Sequence, residues 1–356
     1  MKLHPYREQP ARAFWSRAVS SRFQNSEVAK GTAPYFVEGD RVVSAGSCFA
    51  SNLVPWLEKA GLEYLRTERP HPVLAHMPEN LGYLDFSAMY GNIYSSRQML
   101  QLIQRSRGEF KPVEDRWHEQ GRVVDPFRPG LKYPATSDRE FDLLSAQHLE
   151  ATKAAFDQAT VIVLTLGLTE TWVSALDGAA FPSCPGTIAG TFDPAKHVFL
   201  NLSASEVRSD IEELVGLVRI TNPSVRFILT VSPVPLVATA TAEHVLVAST
   251  YSKSVLRVAA SEAAHSLDKV MYFPAYEIVT GPQSQGAFFE DDFRHVSSAG
   301  IEAVMTSLLE NSQLVADFNS ATNQDGRSTR LEEAPMSQRL SERVSTAECE
   351  EMASEW

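Results

Sequence analysis

Two stretches of this chain, Thr160 to Leu166 and Val225 to Val231, and a shorter one, Val270 to Phe273, are almost continuously apolar over strand length instead of alternating. A strand that offers no polar positions to solvent has to be covered on both faces, and a parallel sheet with crossover helices is the arrangement that does so. Between these runs the three- and four-residue spacing of apolar side chains predicts helices over Ser96 to Arg107, Phe141 to Gln158, Ser205 to Thr221, Ala242 to Ser266 and Ser298 to Asn311. Shorter strands are expected at Arg41 to Ala45 and Glu63 to Leu65, so the fold class is α/β, a repeated β-α-β order with a mainly parallel sheet.

At 356 residues the chain has room for one elaborated domain with extensions. Residues 1–39 read as an N-terminal arm whose anchor is Phe14-Trp15, and residues 40–312 as the body. Two insertions interrupt the body. The one near 109–137 carries a hairpin around Gln120-Gly121, and the one near 175–194, rich in Gly, Pro and Ser, reads as a long ordered loop. Residues 322–356 hold eight acidic and four basic residues with few large apolar side chains, which predicts a flexible acidic tail.

A formal charge of -12 and a pI near 5.3 argue against a phosphate-backbone footprint, so no nucleic-acid partner is expected. No apolar window reaches spanning length and the first residues lack a secretory pattern, so the expectation is a soluble, cytoplasmic protein without a membrane partner. Cys48, Cys184 and Cys349 are too few and too far apart for a disulfide framework or a zinc ribbon. His71, His76 and His118 lack ligand spacing, and neither a phosphate-binding loop nor a Gly-x-Gly-x-x-Gly turn occurs; metal and cofactor are not expected. No pattern specifies an oligomeric state.

Two places carry chemistry. Ser44-Ala45-Gly46-Ser47-Cys48-Phe49-Ala50 joins the first strand to the first helix, at the sheet edge where doubly wound folds bind ligands. A thiol at a helix start is favoured as thiolate, which makes Cys48 a candidate nucleophile; the plainer reading is a turn glycine, a capping Ser47 and a packed thiol. Asp291-Asp292-Phe293-Arg294-His295 precedes the last helix, and the three-residue spacing lets Asp292 hold the His295 imidazole in one tautomer. Its plainer reading is a surface Asp and His ahead of a helix capped by Ser297 or Ser298.

Gly46-Ser47-Cys48-Phe49-Ala50 spells the motif that names the GSCFA-domain proteins, and the chain resembles that family over about Arg41 to Leu309. The family looks like part of the SGNH/GDSL hydrolase superfamily. The resemblance implies a flavodoxin-like three-layer α/β/α sandwich and, by analogy, ester or acyl chemistry. Carried over by position, Cys48 stands where the superfamily has its nucleophilic serine, with Ser47 at the supporting aspartate and Asp292-x-x-His295 as the rest of a triad. Gly91 or Asn92, in Tyr90-Gly91-Asn92-Ile93-Tyr94, falls at the oxyanion-hole glycine. Thr169 stands at the oxyanion asparagine, where its shorter side chain brings a single donor. Glu170 and Trp172 follow as candidate substrate-binding residues; the plainer reading of Glu170 is a charge at a helix N-terminus.

The reading that results is a hydrolase or acyltransferase acting on an ester or acyl group of a small molecule or carbohydrate. The alternative is a non-catalytic carbohydrate- or partner-binding protein, using Trp172, Tyr94 and the segment Asp125-Pro126-Phe127-Arg128. Ser232 to Leu236 reads as a rigid rim loop, Cys184 as a packed thiol, and Cys349 receives no role.

Overall fold

The computed structural model describes residues 4–31, 33–70 and 82–314, with residues 48 and 49 described in backbone only. The expected tail at 322–356, with Cys349, and the histidines His71 and His76 lie outside the described residues. In chain order the first half contains α1 (Asn25–Val28), β1 (Arg41–Ala45), α2 (Cys48–Ser51), α3 (Leu53–Lys59), β2 (Glu63–Tyr64), α4 (Ser96–Ser106), β3 (Trp117–Glu119), β4 (Arg122–Val124) and α5 (Asp138–Gln158). The second half contains β5 (Val161–Leu166), β6 (Glu170–Ser174), β7 (Ala180–Phe181), β8 (His197–Asn201), α6 (Ala204–Thr221), β9 (Arg226–Val231), α7 (Val245–Ser266), β10 (Val270–Phe273), α8 (Ala275–Thr280) and α9 (Ser298–Glu310).

The main sheet has five strands in the order β2-β1-β5-β9-β10, all parallel. Counted along its own strands this is 2-1-3-4-5, the flavodoxin-like winding, and the reversal between β1 and β5 opens a crevice beyond their carboxyl ends. Strand periodicity sends successive side chains to opposite faces. Ile162, Leu164 and Leu166 of β5, with Phe227, Leu229 and Val231 of β9, pack against α4, α5, α6 and α7. Val161, Val163 and Ile228 go the other way, onto α3, α8 and α9. Helices therefore cover both faces, which is why these strands read as continuous apolar runs, and the three-layer α/β/α expectation is met.

Helix starts sit where polar caps place them. Ser203 and Glu206 form a reciprocal capping box, so α6 begins one residue before its apolar pattern suggests. Ser137 caps α5 and Ser297 caps α9.

Three expectations need correction. The arm is not anchored by Phe14-Trp15, because Trp15 is 64% exposed; Tyr35 and Phe36, at 3% and 0%, are the buried pair. The region 175–194 is not a plain loop. It holds β7, which pairs antiparallel with β6, and β6 pairs with β8, making a small three-stranded sheet. The segment Asp125 to Arg128 is not a presenting surface, since all four residues are buried.

The first insertion forms its hairpin, β3 against β4, with Gln120 at φ 49° and Gly121 at φ 77°, the two left-handed residues that a tight type I′ turn requires. Both insertions share one satellite core. Trp117 and Phe127 lie 5.8 Å from Phe181, and Trp172 packs beside them. At Gly190, φ 76°, an added Cβ would lie 2.7 Å from the Trp117 ring, so only glycine lets the second insertion come this close.

Candidate active site

At the end of β1 the chain turns over β5 within one residue. A Cβ on Gly46 would lie 2.6 Å from Thr165 Cβ and 2.9 Å from Ala50 Cβ, so glycine is required by the closeness of β5 and α2. Ser47 is the N-cap of α2 and is buried, but its side chain makes no capping hydrogen bond; its carbonyl accepts the Ala50 N–H at 2.7 Å. The hydroxyl cap expected from sequence is therefore corrected. Cys48 is the first residue of α2, a helix of four residues, too short to offer a thiolate the full macrodipole.

Tyr90 to Tyr94 lies across this turn. The Ile93 N–H donates to Gly46 O at 2.9 Å, the Tyr90 hydroxyl donates to Ser44 O, and Tyr94 O accepts the Gly167 and Leu168 N–H groups at 3.0 and 2.9 Å. Gln98 fastens the segment to α4 by donating to Asn92 O and accepting from the Tyr94 N–H, each at 2.9 Å. Gly91 has φ 66° with open space where a Cβ would stand, and Asn92 is buried beside it. The segment thus stitches β1 to β5 at their carboxyl ends, the switch point of the sheet.

The Asp-x-x-His segment is a tight hairpin. Phe289 bridges Val296, the Glu290 N–H donates to His295 O at 2.8 Å, and the Phe293 N–H donates to Glu290 O at 3.0 Å. Its tip bends back on itself, so Asp292 Oδ1 accepts the N–H groups of Arg294 and His295 at 2.9 and 3.0 Å while Asp292 Oδ2 meets His295 Nδ1. Partial desolvation would raise the Asp292 pKa, but the Arg294 amide, the imidazole and the His295 amide outweigh it and hold the carboxyl at about 2. A carboxylate on Nδ1 places the ring proton there and leaves the lone pair on Nε2, which Arg294 Nη1 approaches at 3.4 Å. The imidazole side chain is 41% exposed and the carboxylate 45%.

Helix α9 carries this hairpin to the site edge. Its C-terminal end lies beside the segment leading into β1, where the Tyr35 N–H donates to Asn311 O and the Gln313 N–H donates to Phe36 O. Thirteen residues of helix span about 20 Å, the length of a strand in this sheet, so the other end reaches the carboxyl edge. Gly300, in its first turn, lets the hairpin close down: a Cβ there would lie 2.7 Å from Phe288 O. The hairpin and the Gly46 turn thus share one edge of the sheet.

The remaining candidates are drawn into structure. Thr169 is fully buried, its hydroxyl donating to Asn201 Oδ1 at 2.6 Å and its N–H to Ser252 Oγ at 3.0 Å. Glu170 opens β6 and not a helix, which corrects the plainer reading of it; it accepts from the Thr239 hydroxyl at 2.7 Å and the Ala240 N–H at 3.2 Å. Trp172 stands edge-on to Phe192 and Phe199 at 5.3 and 5.6 Å. Cys184 is partly buried, and burial raises its thiol pKa.

Sequence reasoning missed Lys253, which is buried on α7 and donates to Gly167 O at 2.7 Å. Ser249, Ser252 and Lys253 interrupt the apolar face of α7, and that interruption was the available signal. Among the described residues no cluster of three or more His, Cys, Asp or Glu side chains is placed to hold a metal ion, and no helix is long and apolar enough to cross a membrane.

No curated protein matches this chain. Among solved structures it is similar to an acetyl xylan esterase, Est2A, from the rumen bacterium Butyrivibrio proteoclasticus, at 10% identity and a TM-score of 0.31. The match covers 79% of this chain and 64% of the esterase, so the chain spans less than two thirds of that protein's length. The model of the GSCFA family matches residues 41–308, three quarters of the chain, from the first residue of β1 into the last turns of α9. With its naming motif set at the switch point of a flavodoxin-like sheet, this chain belongs to the GSCFA family.

Proposed function

We propose that this chain is an ester or acyl hydrolase, or an acyltransferase, in which Cys48 is the nucleophile, His295 the base and Asp292 the group that orients the base. Nε2 of His295 takes the thiol proton as sulfur bonds to the acyl carbon, and the carbonyl oxygen becomes an oxyanion. Backbone amides of Cys48 and Gly91, with Asn92, face that charge. Collapse of the intermediate expels an alkoxide that takes the proton back from the imidazolium, leaving a thioester on Cys48. Water, an alcohol or an amine then receives the acyl group. Small-molecule and carbohydrate acyl esters are the substrate class, with Glu170 and Trp172 as its candidate binding residues.

The observation that carries this reading is the Asp292–His295 contact, closed at the tip of the hairpin that Phe289 and Val296 bridge. Intact mass spectrometry after exposure to short acyl esters tests it, the expected result being a one-acyl mass gain on Cys48. Cys48→Ala should remove that gain and lower turnover by at least about 10³-fold, while Ser47→Ala only weakens it. Activity retained in Cys48→Ala and lost in Ser47→Ala would move the nucleophile by one residue.

One observation favours a second reading, a non-catalytic carbohydrate- or partner-binding protein: the Thr169 hydroxyl is committed to Asn201 and so withdrawn from the oxyanion. Iodoacetamide separates the two. A catalytic Cys48 alkylates far faster than Cys184 and Cys349, whereas equal rates favour the binding protein.

A further inference from the structure

A second set of ionisable side chains lies under the first insertion, and all of it is buried. Glu68, Asp125, Arg128 and His148 have side chains 6%, 3%, 7% and 2% exposed. Asp125 Oδ2 accepts from Arg128 Nε at 2.8 Å, Arg128 Nη1 lies 3.8 Å from Glu68 Oε1, and His148 Nδ1 lies 2.7 Å from Glu68 Oε2. Burial alone would raise the Glu68 pKa, but the His148 hydrogen bond, Arg128 and the Met89 amide more than offset it and keep it ionised. Burial and Arg128 lower the His148 pKa, so the imidazole is neutral and donates from Nδ1.

Two of these groups, Glu68 and Arg128, meet on the backbone of one residue. The Met89 N–H donates to Glu68 Oε2 at 2.7 Å, and Met89 O accepts from Arg128 Nη1 at 3.4 Å. Arg105, stacked over the Phe127 ring at 4.0 Å, closes the cluster from α4. Burying such a cluster costs more than packing apolar side chains of the same volume, so stability is a poor reason for it. What it achieves is local: it grips the chain two residues before Gly91, while Gln98 grips it from the other side.

We propose that Glu68 is a positioning residue, which through Met89 sets where the Gly91 and Asn92 amides stand at the Gly46 turn. The proposal rests on the acyl-transfer reading, since that reading gives those amides an oxyanion to face. Hydrogen bonds to a developing charge lose most of their worth with small misplacements, so the effect should appear in kcat.

The test compares the full-length wild type with Glu68→Gln, and with His148→Gln as a second variant that leaves the Glu68 charge in place. With p-nitrophenyl acetate, Glu68→Gln should lower kcat by about 10-fold or more at nearly constant KM, and His148→Gln by less. Alkylation of Cys48 by iodoacetamide, which forms no oxyanion, should keep its wild-type rate in both. An unchanged kcat, or a parallel fall in kcat and alkylation, overturns the proposal. If the wild type does not turn over the ester, the acyl reading fails on its own and amide hydrogen exchange decides. Faster exchange confined to residues 89–93 in Glu68→Gln then keeps the positioning role, and unchanged or uniformly faster exchange removes it.

Discussion

Two histidine–carboxylate pairs in this molecule have the same chemistry and opposite surroundings. Asp292 and His295 are three residues apart on a hairpin, and nearly half of each side chain is open to solvent. Glu68 and His148 are 80 residues apart, joined at 2.7 Å with both side chains buried. In the first pair the imidazole edge can meet a substrate and exchange a proton with it. In the second the imidazole is enclosed, Arg128 stands beside the carboxylate, and the available work is to hold backbone. Burial and neighbours, and not residue type, separate a candidate base from a candidate brace.

Exchanging the losses breaks this comparison most sharply. His295→Ala should lower acyl turnover by about 10³-fold or more while shifting stability by less than about 1 kcal/mol, as expected for an exposed pair. His148→Ala should do the reverse in emphasis, costing about 3 kcal/mol of stability because it leaves the Glu68 carboxylate short of a donor in the interior. Kinetics and denaturant titration on the two variants check both halves; equal stability losses would erase the distinction.

Acid stability sharpens it next. The His148 pKa is lowered on folding, so its contribution is complete above its unfolded value of 6.5 and is lost as the pH falls below that. The Asp292 pKa is lowered to about 2 from 3.8, so its smaller, solvent-screened contribution is complete above 3.8 and fades only between 3.8 and about 2. Melting curves should therefore lose stability from about pH 6.5 downward, with the slope flattened in His148→Gln and unaltered in Asp292→Asn until the pH is below about 4.

The smallest effect separates Thr169 from the acid–base groups. Thr169→Val removes the donor to Asn201 and should cost about 1–2 kcal/mol of stability, with turnover changed less than about threefold. A loss of turnover beyond 100-fold at unchanged stability would return Thr169 to the oxyanion.

Much of the sheet was legible because its strands leave no alternative. Ile162 and Val163 point to opposite faces and both are fully or almost fully buried, so the apolar run in β5 is itself a record of helices on two sides. The hairpin at Gln120-Gly121 was legible for the same local reason, a turn that demands left-handed backbone. The plainer reading of Glu170, a charge at a helix start, fails because a five-residue strand in a small antiparallel sheet carries little periodicity, and its partner β8 is far along the chain. Trp15 was misread because an aromatic residue is an anchor only if something covers it.

By itself the sequence determined the layer order, the parallel sheet, the GSCFA motif at the first strand's end and the Asp292–His295 contact, because each follows from spacing over a few residues. Only the tertiary structure decided that the two insertions share one core, that Thr169 gives its hydroxyl to Asn201, and that Glu68, held by His148, meets Arg128 at Met89. Those contacts join residues tens of positions apart, and their energies come from burial and exclusion of water, which no local pattern encodes.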